Sequence, residues 1–246
     1  FLIIGLLIIL TFNDYGTTWD EHYHKIHGLN FIKYYLDFTP LKGLLDKVPK
    51  DHTHIYLYPG LFDALASVIS RVLPFGRLES QHLFNSTVGL FGILGCWNVG
   101  KLFGGTKTAF WSALLLTITP VYYGHMFNNP KDIPFAVGYI WSVYYILRII
   151  PFFPSIPRSL VLKLSIALGL TLSIRVGGVV LYSYMVFAIC SYLLFTRVNL
   201  SQNQNIANKI WLLSRSSVTI FCVSYLIMLV FWPWTHPSPL IRPFQA

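Results

Sequence analysis

Charged side chains are scarce in this sequence. Only 11% of its 246 residues are Asp, Glu, Lys or Arg, whereas 54% are hydrophobic, and the mean hydropathy is +0.58. Soluble domains carry about 25% charged residues, and a soluble fold could not cover this much apolar surface. The composition therefore argues against a soluble domain and predicts an integral membrane protein.

Cysteine is also rare. The three cysteines, Cys96, Cys190 and Cys222, lie inside apolar segments and show no paired spacing. This pattern favours neither a disulfide framework nor a zinc site, and we expect all three to act as small core residues.

Long apolar runs recur along the chain, each near the length of about 20 residues that crosses a hydrocarbon core about 30 Å thick. They lie at about 1–12, 82–101, 108–126, 133–151, 159–174, 177–196 and 216–233. We predict an all-α integral membrane protein with about seven visible transmembrane helices and a single domain, 1–246. Because the chain opens on an apolar run without an initiator Met, we expect an N-terminal truncation. A C-terminal truncation is left open.

Lys and Arg are divided unevenly between the two sets of short connections. The richer set contains Lys101, Lys107, Arg148, Arg158, Lys163, Arg197, Lys209 and Arg215, and the other contains only Lys131, Arg175 and Arg242. Cytoplasmic loops are enriched in these residues, so the richer set is predicted to be cytoplasmic and residues 13–81 to form a long external loop. Much of the net charge of +9 follows from this bias, and no nucleic-acid partner is expected.

The predicted external face carries every acidic residue. The nine are Asp14, Asp20, Glu21, Asp37, Asp46, Asp51, Asp63, Glu79 and Asp132, and six histidines accompany them: His22, His24, His27, His52, His54 and His82. Ionisable groups are costly in lipid, so a general base, a metal site or both are expected at this face. Residues 28–36 and 58–74 are apolar at helical spacing, which predicts amphipathic helices lying along the membrane interface.

Several short motifs, taken in order, resemble a known family. Trp19-Asp20-Glu21-His22-Tyr23 follows the first apolar run, Tyr58-Pro59-Gly60-Leu61 comes later, and residues 119–132 read TPVYYGHMFNNPKD. This order resembles the GT-C membrane glycosyltransferases, and more narrowly the protein O-mannosyltransferases and aminoarabinose transferases that use polyprenyl-phosphate sugars. The family commonly has His where this chain has Tyr58. The resemblance implies inverting transfer of a sugar from a polyprenyl- or dolichyl-phosphate donor to an acceptor hydroxyl.

The resemblance also implies roles for particular residues. Asp20 matches the position of the general base that takes the acceptor's proton, with Glu21 beside it, and Asp14 is the alternative base. The departing phosphate needs nearby cations, and Arg175, set between two apolar segments, offers a guanidinium for it. The expected lining of the donor cavity is Lys131, Asp132, Arg175 and His125. Asp132 could instead serve only as the first residue of a helix, and His125 could simply lie at the interface.

Other interpretations stay open from the sequence. Glu21, His22 and His24 could bind a divalent metal ion, although their spacing is not diagnostic. A non-catalytic subunit of a membrane complex and a lipid or solute transporter are the alternative functions. The expected partners are membrane lipids and an acceptor that is a protein, a lipid or a glycan. We favour a bacterial inner membrane with the site facing the periplasm, and the alternative is an ER membrane with the site facing the lumen.

Overall fold

A computed structural model describes residues 1–37, 57–198 and 206–244, and within these ranges it contains helices and connections but no strand. The helices are α1 Leu2–Thr11, α2 Glu21–Leu36, α3 Leu61–Val72, α4 Arg77–Ile118, α5 Pro120–Asn128, α6 Asp132–Ile149, α7 Arg158–Leu172, α8 Val180–Val198 and α9 Ile206–Val230. Short 3-10 helices span Ile150–Phe152, Val176–Val179, Pro233–Thr235 and Arg242–Phe244.

Four helical stretches are long and apolar enough, by length and composition, to cross a membrane. They are Arg77–Ile118, Asp132–Phe152, Val176–Phe195 and Ile206–Val230. Large apolar side chains on these stretches face outward, including Phe103 and Phe187. The fold is therefore all-helical and compatible with a membrane protein, but the described residues supply four such stretches where the sequence predicted seven spans.

Length explains part of this difference. Helix α1 has 10 residues and α7 has 15, which at 1.5 Å per residue gives about 15 and 22 Å, less than a hydrocarbon core of about 30 Å. Helix α7, predicted as the span 159–174, is instead the central helix: nine of its residues are buried, and it packs between α6 and α9.

The predicted spans 82–101 and 108–126 fall largely within α4, which is interrupted at Gly104 and Gly105. Gly105 has a φ of +68°, a conformation that glycine adopts without a Cβ clash. Cys96 Sγ lies 3.5 Å from the Ser112 carbonyl oxygen, whereas 16 residues of straight helix would separate them by about 24 Å. The two halves of α4 therefore fold back on each other.

Helices α2 and α3 pack across one end of the bundle. The Gly60 N–H donates to the Phe231 carbonyl over 2.9 Å, and the Leu61 N–H donates to the Ser173 carbonyl over 3.3 Å. These bonds tie the start of α3 to the ends of α7 and α9. Helix α3 lies within the predicted 58–74, but α2 begins at Glu21, seven residues before the predicted start at residue 28.

Helices α2 and α3 approach each other closely at Gly28. A Cβ atom there would lie 2.1 Å from the Asp63 carbonyl oxygen and 2.4 Å from Ser67 Oγ. We therefore expect Gly28→Ala to force the helices apart and to destabilise the fold by about 2 kcal/mol or more. A lower apparent Tm of the detergent-purified protein would measure this loss.

Gly124→Ala is the matched control, because a Cβ at this helical glycine meets nothing within 4 Å. Its apparent Tm should stay the same or rise, since Ala favours a helix over Gly by up to about 1 kcal/mol. Equal Tm values for the two variants would contradict the close contact at Gly28.

Candidate functional site

Asp63, in the first turn of α3, is the centre of a buried polar cluster. Asp63 is 4% exposed, and its Oδ2 lies 3.2 Å from His24 Nδ1 and 2.6 Å from His27 Nδ1. The two histidines are three residues apart on α2 and therefore share one helix face. One carboxylate thus joins α2 to α3 through two imidazole rings.

Burial and pairing act in opposite directions in this cluster. Burial alone would raise the pKa of Asp63, but the contacts with His24 and His27 outweigh it and hold that pKa well below its ordinary range. Burial lowers the pKa of His27 despite its bond to Asp63, and nearby Lys131 and His24 lower it further. Asp63 therefore stays ionised, and His27 resists taking a second proton.

Glu21 forms a second buried pair. Its Oε1 lies 2.8 Å from His82 Nε2, at the start of α4, and its Oε2 accepts a hydrogen bond of 2.6 Å from the Thr18 N–H. Glu21 is 6% exposed and His82 is 1% exposed. Both carboxylate oxygens are thus engaged, so Glu21 anchors the start of α2 against α4.

Asp20, the residue before α2, is more accessible than Glu21. Its side chain is 28% exposed, and its Oδ2 lies 4.0 Å from His24 Nε2. Thr18 Oγ1 lies 2.9 Å from Asp20 Oδ1 and 3.0 Å from the Asn128 carbonyl oxygen, and its single hydrogen serves one acceptor at a time. Thr18 therefore holds Asp20 beside the connection between α5 and α6.

That connection carries Lys131, the residue before α6. Lys131 is 7% exposed, its Nζ donates to the Pro59 carbonyl over 3.4 Å, and the same atom lies 4.8 Å from the centre of the Tyr58 ring. Burial lowers the pKa of Lys131, against the opposing attraction of Asp63. A phenol ring at residue 58 thus covers a buried cation.

Asp132 and Arg175 form an accessible ion pair in the same region. Arg175 Nη1 lies 2.8 Å from Asp132 Oδ1, with side-chain exposures of 42% and 57%. Asn129 Oδ1 accepts a hydrogen bond of 2.8 Å from the Asp132 N–H. Asp132 is the first residue of α6, which is the alternative role that the sequence left open for it. It also pairs with Arg175, the residue predicted to bind the donor phosphate.

The structure therefore brings most of the predicted site residues together. The side-chain contacts at this end of the bundle include six of them: Asp20, Glu21, His24, Lys131, Asp132 and Arg175. Asp14, His22 and His125 are exposed, although His125 Nδ1 lies 3.4 Å from Asn129 Nδ2, beside Asp132. In the described part of the chain, no group of three or more His, Cys, Asp or Glu side chains is arranged to hold a metal ion. The metal site stays a prediction.

No function was predicted from the sequence for Asp63, His27, His82 or Asn85. Asn85 is 2% exposed, and neither its amide nitrogen nor its amide oxygen has a hydrogen-bond partner within the described residues. It lines a small pocket of about 20 Å³ with Glu21, His24 and Asp63. The three-residue spacing of His24 and His27 was a signal in the sequence that both rings lie on one helix face. It did not identify their partner Asp63, which is 36 residues beyond His27.

An apolar groove of about 500 Å³ begins beside this cluster. Leu61 and Phe62, the neighbours of Asp63 in sequence, form one end, and Trp141 and Leu170 lie along it. The groove lies between α3, α4, α6 and α7, and Lys163, the sixth residue of α7, also lines it. Its lining is almost entirely apolar, so it suits a long hydrocarbon chain.

Comparisons of the chain with protein-family models, curated proteins and solved structures found no match. The family resemblance noted from the motifs therefore stays a prediction.

The cluster generates a pH dependence of stability. Below about pH 6.5 an unfolded His27 takes up a proton, whereas burial lowers the pKa of the folded residue. The free energy of unfolding therefore decreases as the pH is lowered, by up to about 1.4 kcal/mol per pH unit. Asp63, whose folded pKa is depressed, keeps its contribution until about pH 3.9 and loses it below. Apparent Tm values between about pH 7.5 and about pH 5.5 measure the His27 effect.

His27→Gln should flatten this slope, because it removes the titrating ring. His22→Gln is the control, since His22 is exposed, and this variant should keep the wild-type slope. An unchanged slope in His27→Gln would show that another group governs the acid response.

Proposed function

We propose that this chain is an inverting glycosyltransferase that moves a sugar from a polyprenyl- or dolichyl-phosphate donor to an acceptor hydroxyl. The observation that carries the proposal is the position of Asp20. This accessible carboxylate is held by Thr18 next to the connection that carries Lys131 and Asp132, which in turn pairs with Arg175. A base and the cations for a leaving phosphate therefore come from one end of the bundle.

Among the acidic residues of the cluster, Asp20 is the best suited to act as the base. Asp63 and Glu21 are buried and already accept hydrogen bonds. In the proposed step the acceptor oxygen attacks the anomeric carbon while its proton moves to Asp20. The bond between that carbon and the phosphate oxygen breaks, and the lipid phosphate leaves with the electron pair.

The donor would occupy the cationic region and the groove. Arg175 is partly exposed and offers paired N–H groups, so a phosphate could share it with Asp132. Lys131 adds positive charge beneath Tyr58. The groove lined by Leu61 and Phe62 offers the apolar walls that part of the polyprenyl chain needs.

The proposal includes a GT-C-like topology with about seven crossings and an external site. Because α4 reverses at Gly104 and Gly105, its two halves form two separate segments instead of one. This supports more than four crossings. The segments predicted to be external, which contain Thr18, Pro59 and Asn128, also meet one another. We place the site on the periplasmic face of a bacterial inner membrane, or in the ER lumen. A divalent metal ion is optional in this scheme.

Asp20→Asn should lower transfer by about 10²–10⁴-fold, since it removes the base but keeps the shape. Membranes containing the protein supply natural acceptors, and mass spectrometry of extracted lipids follows conversion of the glycosylated polyprenyl phosphate to polyprenyl phosphate. Asp20→Asn should accumulate the unreacted sugar form.

Asp14→Asn is the matched control, because Asp14 is the alternative base and is exposed. It should convert the donor at the wild-type rate. The reverse result, with Asp14→Asn inactive and Asp20→Asn active, would transfer the role to Asp14. If no preparation carries a polyprenyl lipid, a structural subunit becomes the better interpretation.

Arg175→Gln should reduce donor retention by about 10-fold or more, since a charge-assisted bond to phosphate is lost. The amount of polyprenyl lipid that copurifies with each variant measures this effect. Arg242→Gln is the control, because Arg242 donates to the Trp234 carbonyl over 2.9 Å and lies against its ring. Equal retention by the two variants would remove Arg175 from the donor site.

A further inference from the structure

A second polar cavity lies near the opposite end of the bundle. It has a volume of about 610 Å³ and is bounded by the start of α7 and by α9. Arg158 begins α7, whose other end at Leu172 adjoins the Asp63 cluster through Ser173 and Leu61. At 1.5 Å per residue, the length of α7 separates the two regions by about 22 Å.

The cavity mouth is cationic and rich in hydroxyl groups. Its polar lining consists of Ser155, Arg158, Ser165, Arg215, Ser216 and Thr219. Neither arginine forms an ion pair within the described ranges, and no Asp or Glu follows Asp132 in the sequence. Two guanidinium groups thus face one cavity, and the sequence after Asp132, which supplies the whole lining, contains no carboxylate. Phosphate is a group whose geometry matches that of guanidinium.

The cavity continues into apolar surface. Val161 and Leu162 line it from α7, and Leu212 and Val223 line it from α9. Val223 lies eight residues beyond Arg215, so the lining extends about 12 Å along α9 from the charge. Leu162 is 54% exposed, which opens this lining to the surroundings of the bundle. A free phosphate ion would contact only the mouth, whereas a lipid would also contact the apolar walls.

We propose that this cavity binds one anionic phospholipid, with its phosphate between Arg158 and Arg215 and an acyl chain along Leu162 and Val223. A basic pocket between membrane helices is a known kind of site for such head groups. The site is separate from the proposed donor groove, because α7 is the only helix that lines both and no residue lines both.

The test compares lipids with the wild-type protein first. Purified protein is titrated in mixed micelles with phosphatidylglycerol, with phosphatidylcholine and with millimolar inorganic phosphate, and the apparent Tm is measured. We expect saturable stabilisation by phosphatidylglycerol alone. Equal stabilisation by phosphatidylcholine, or full stabilisation by inorganic phosphate, would overturn the proposal without any variant being needed.

Variants then locate the effect. Arg158→Gln and Arg215→Gln should each weaken the apparent affinity for phosphatidylglycerol by about 5-fold, and the double variant by about 25-fold, as expected for one charge contact each. Arg148→Gln is the matched control, because Arg148, on α6, contacts Tyr144 and does not line the cavity. An equal loss in Arg148→Gln would indicate general surface charge and overturn the assignment.

Discussion

The arrangement of this end of the bundle depends on one buried carboxylate. Asp63 is almost fully enclosed, and an ionised group in that position is tolerated only when partners replace its water. His24 and His27 supply those partners from α2. Because both rings lie on one helix face, the requirement fixes the rotation of α2 as well as its distance from α3. The absence of a side chain at Gly28 allows the same approach, so charge pairing and steric fit select one geometry.

The fixed position of α2 separates the roles of two neighbouring acids. Glu21 faces inward to His82, whereas Asp20, one residue earlier, lies at the helix start with its side chain partly accessible. Successive residues on a helix point about 100° apart, so one of the pair can anchor the helix while the other remains available to a substrate. The same division occurs at the start of α6, where Lys131 is buried and Asp132 is accessible.

The sequence was sufficient to predict an all-helical, strongly apolar fold, because run length and composition are local signals. The grouping of Asp20, Asp132 and Arg175 in one region came instead from the family resemblance. The sequence failed where the determining contact is distant in the chain. Asp63 looked like a polar residue on an amphipathic helix, since its histidine partners belong to another helix. The sequence also did not show that α7, which covers most of the predicted span 159–174, is packed between α6 and α9, because apolarity does not distinguish a helix enclosed by protein from one facing lipid. The turn at Gly104 and Gly105, by contrast, falls in the connection predicted between the spans 82–101 and 108–126.

The distribution of charge links the two proposed sites. At one end of α7, Arg175 has Asp132 as an internal counterion, so a phosphate that binds there must share or displace an existing partner. Such a site can release its ligand, which a donor site must do after each transfer. At the other end lie Arg158 and Arg215, and the sequence after Asp132 contains no Asp or Glu. Within the part of the chain that the structure describes, neither arginine pairs with a carboxylate, so a phosphate bound between them displaces no such partner. That asymmetry favours a resident lipid there and an exchanging one at Arg175.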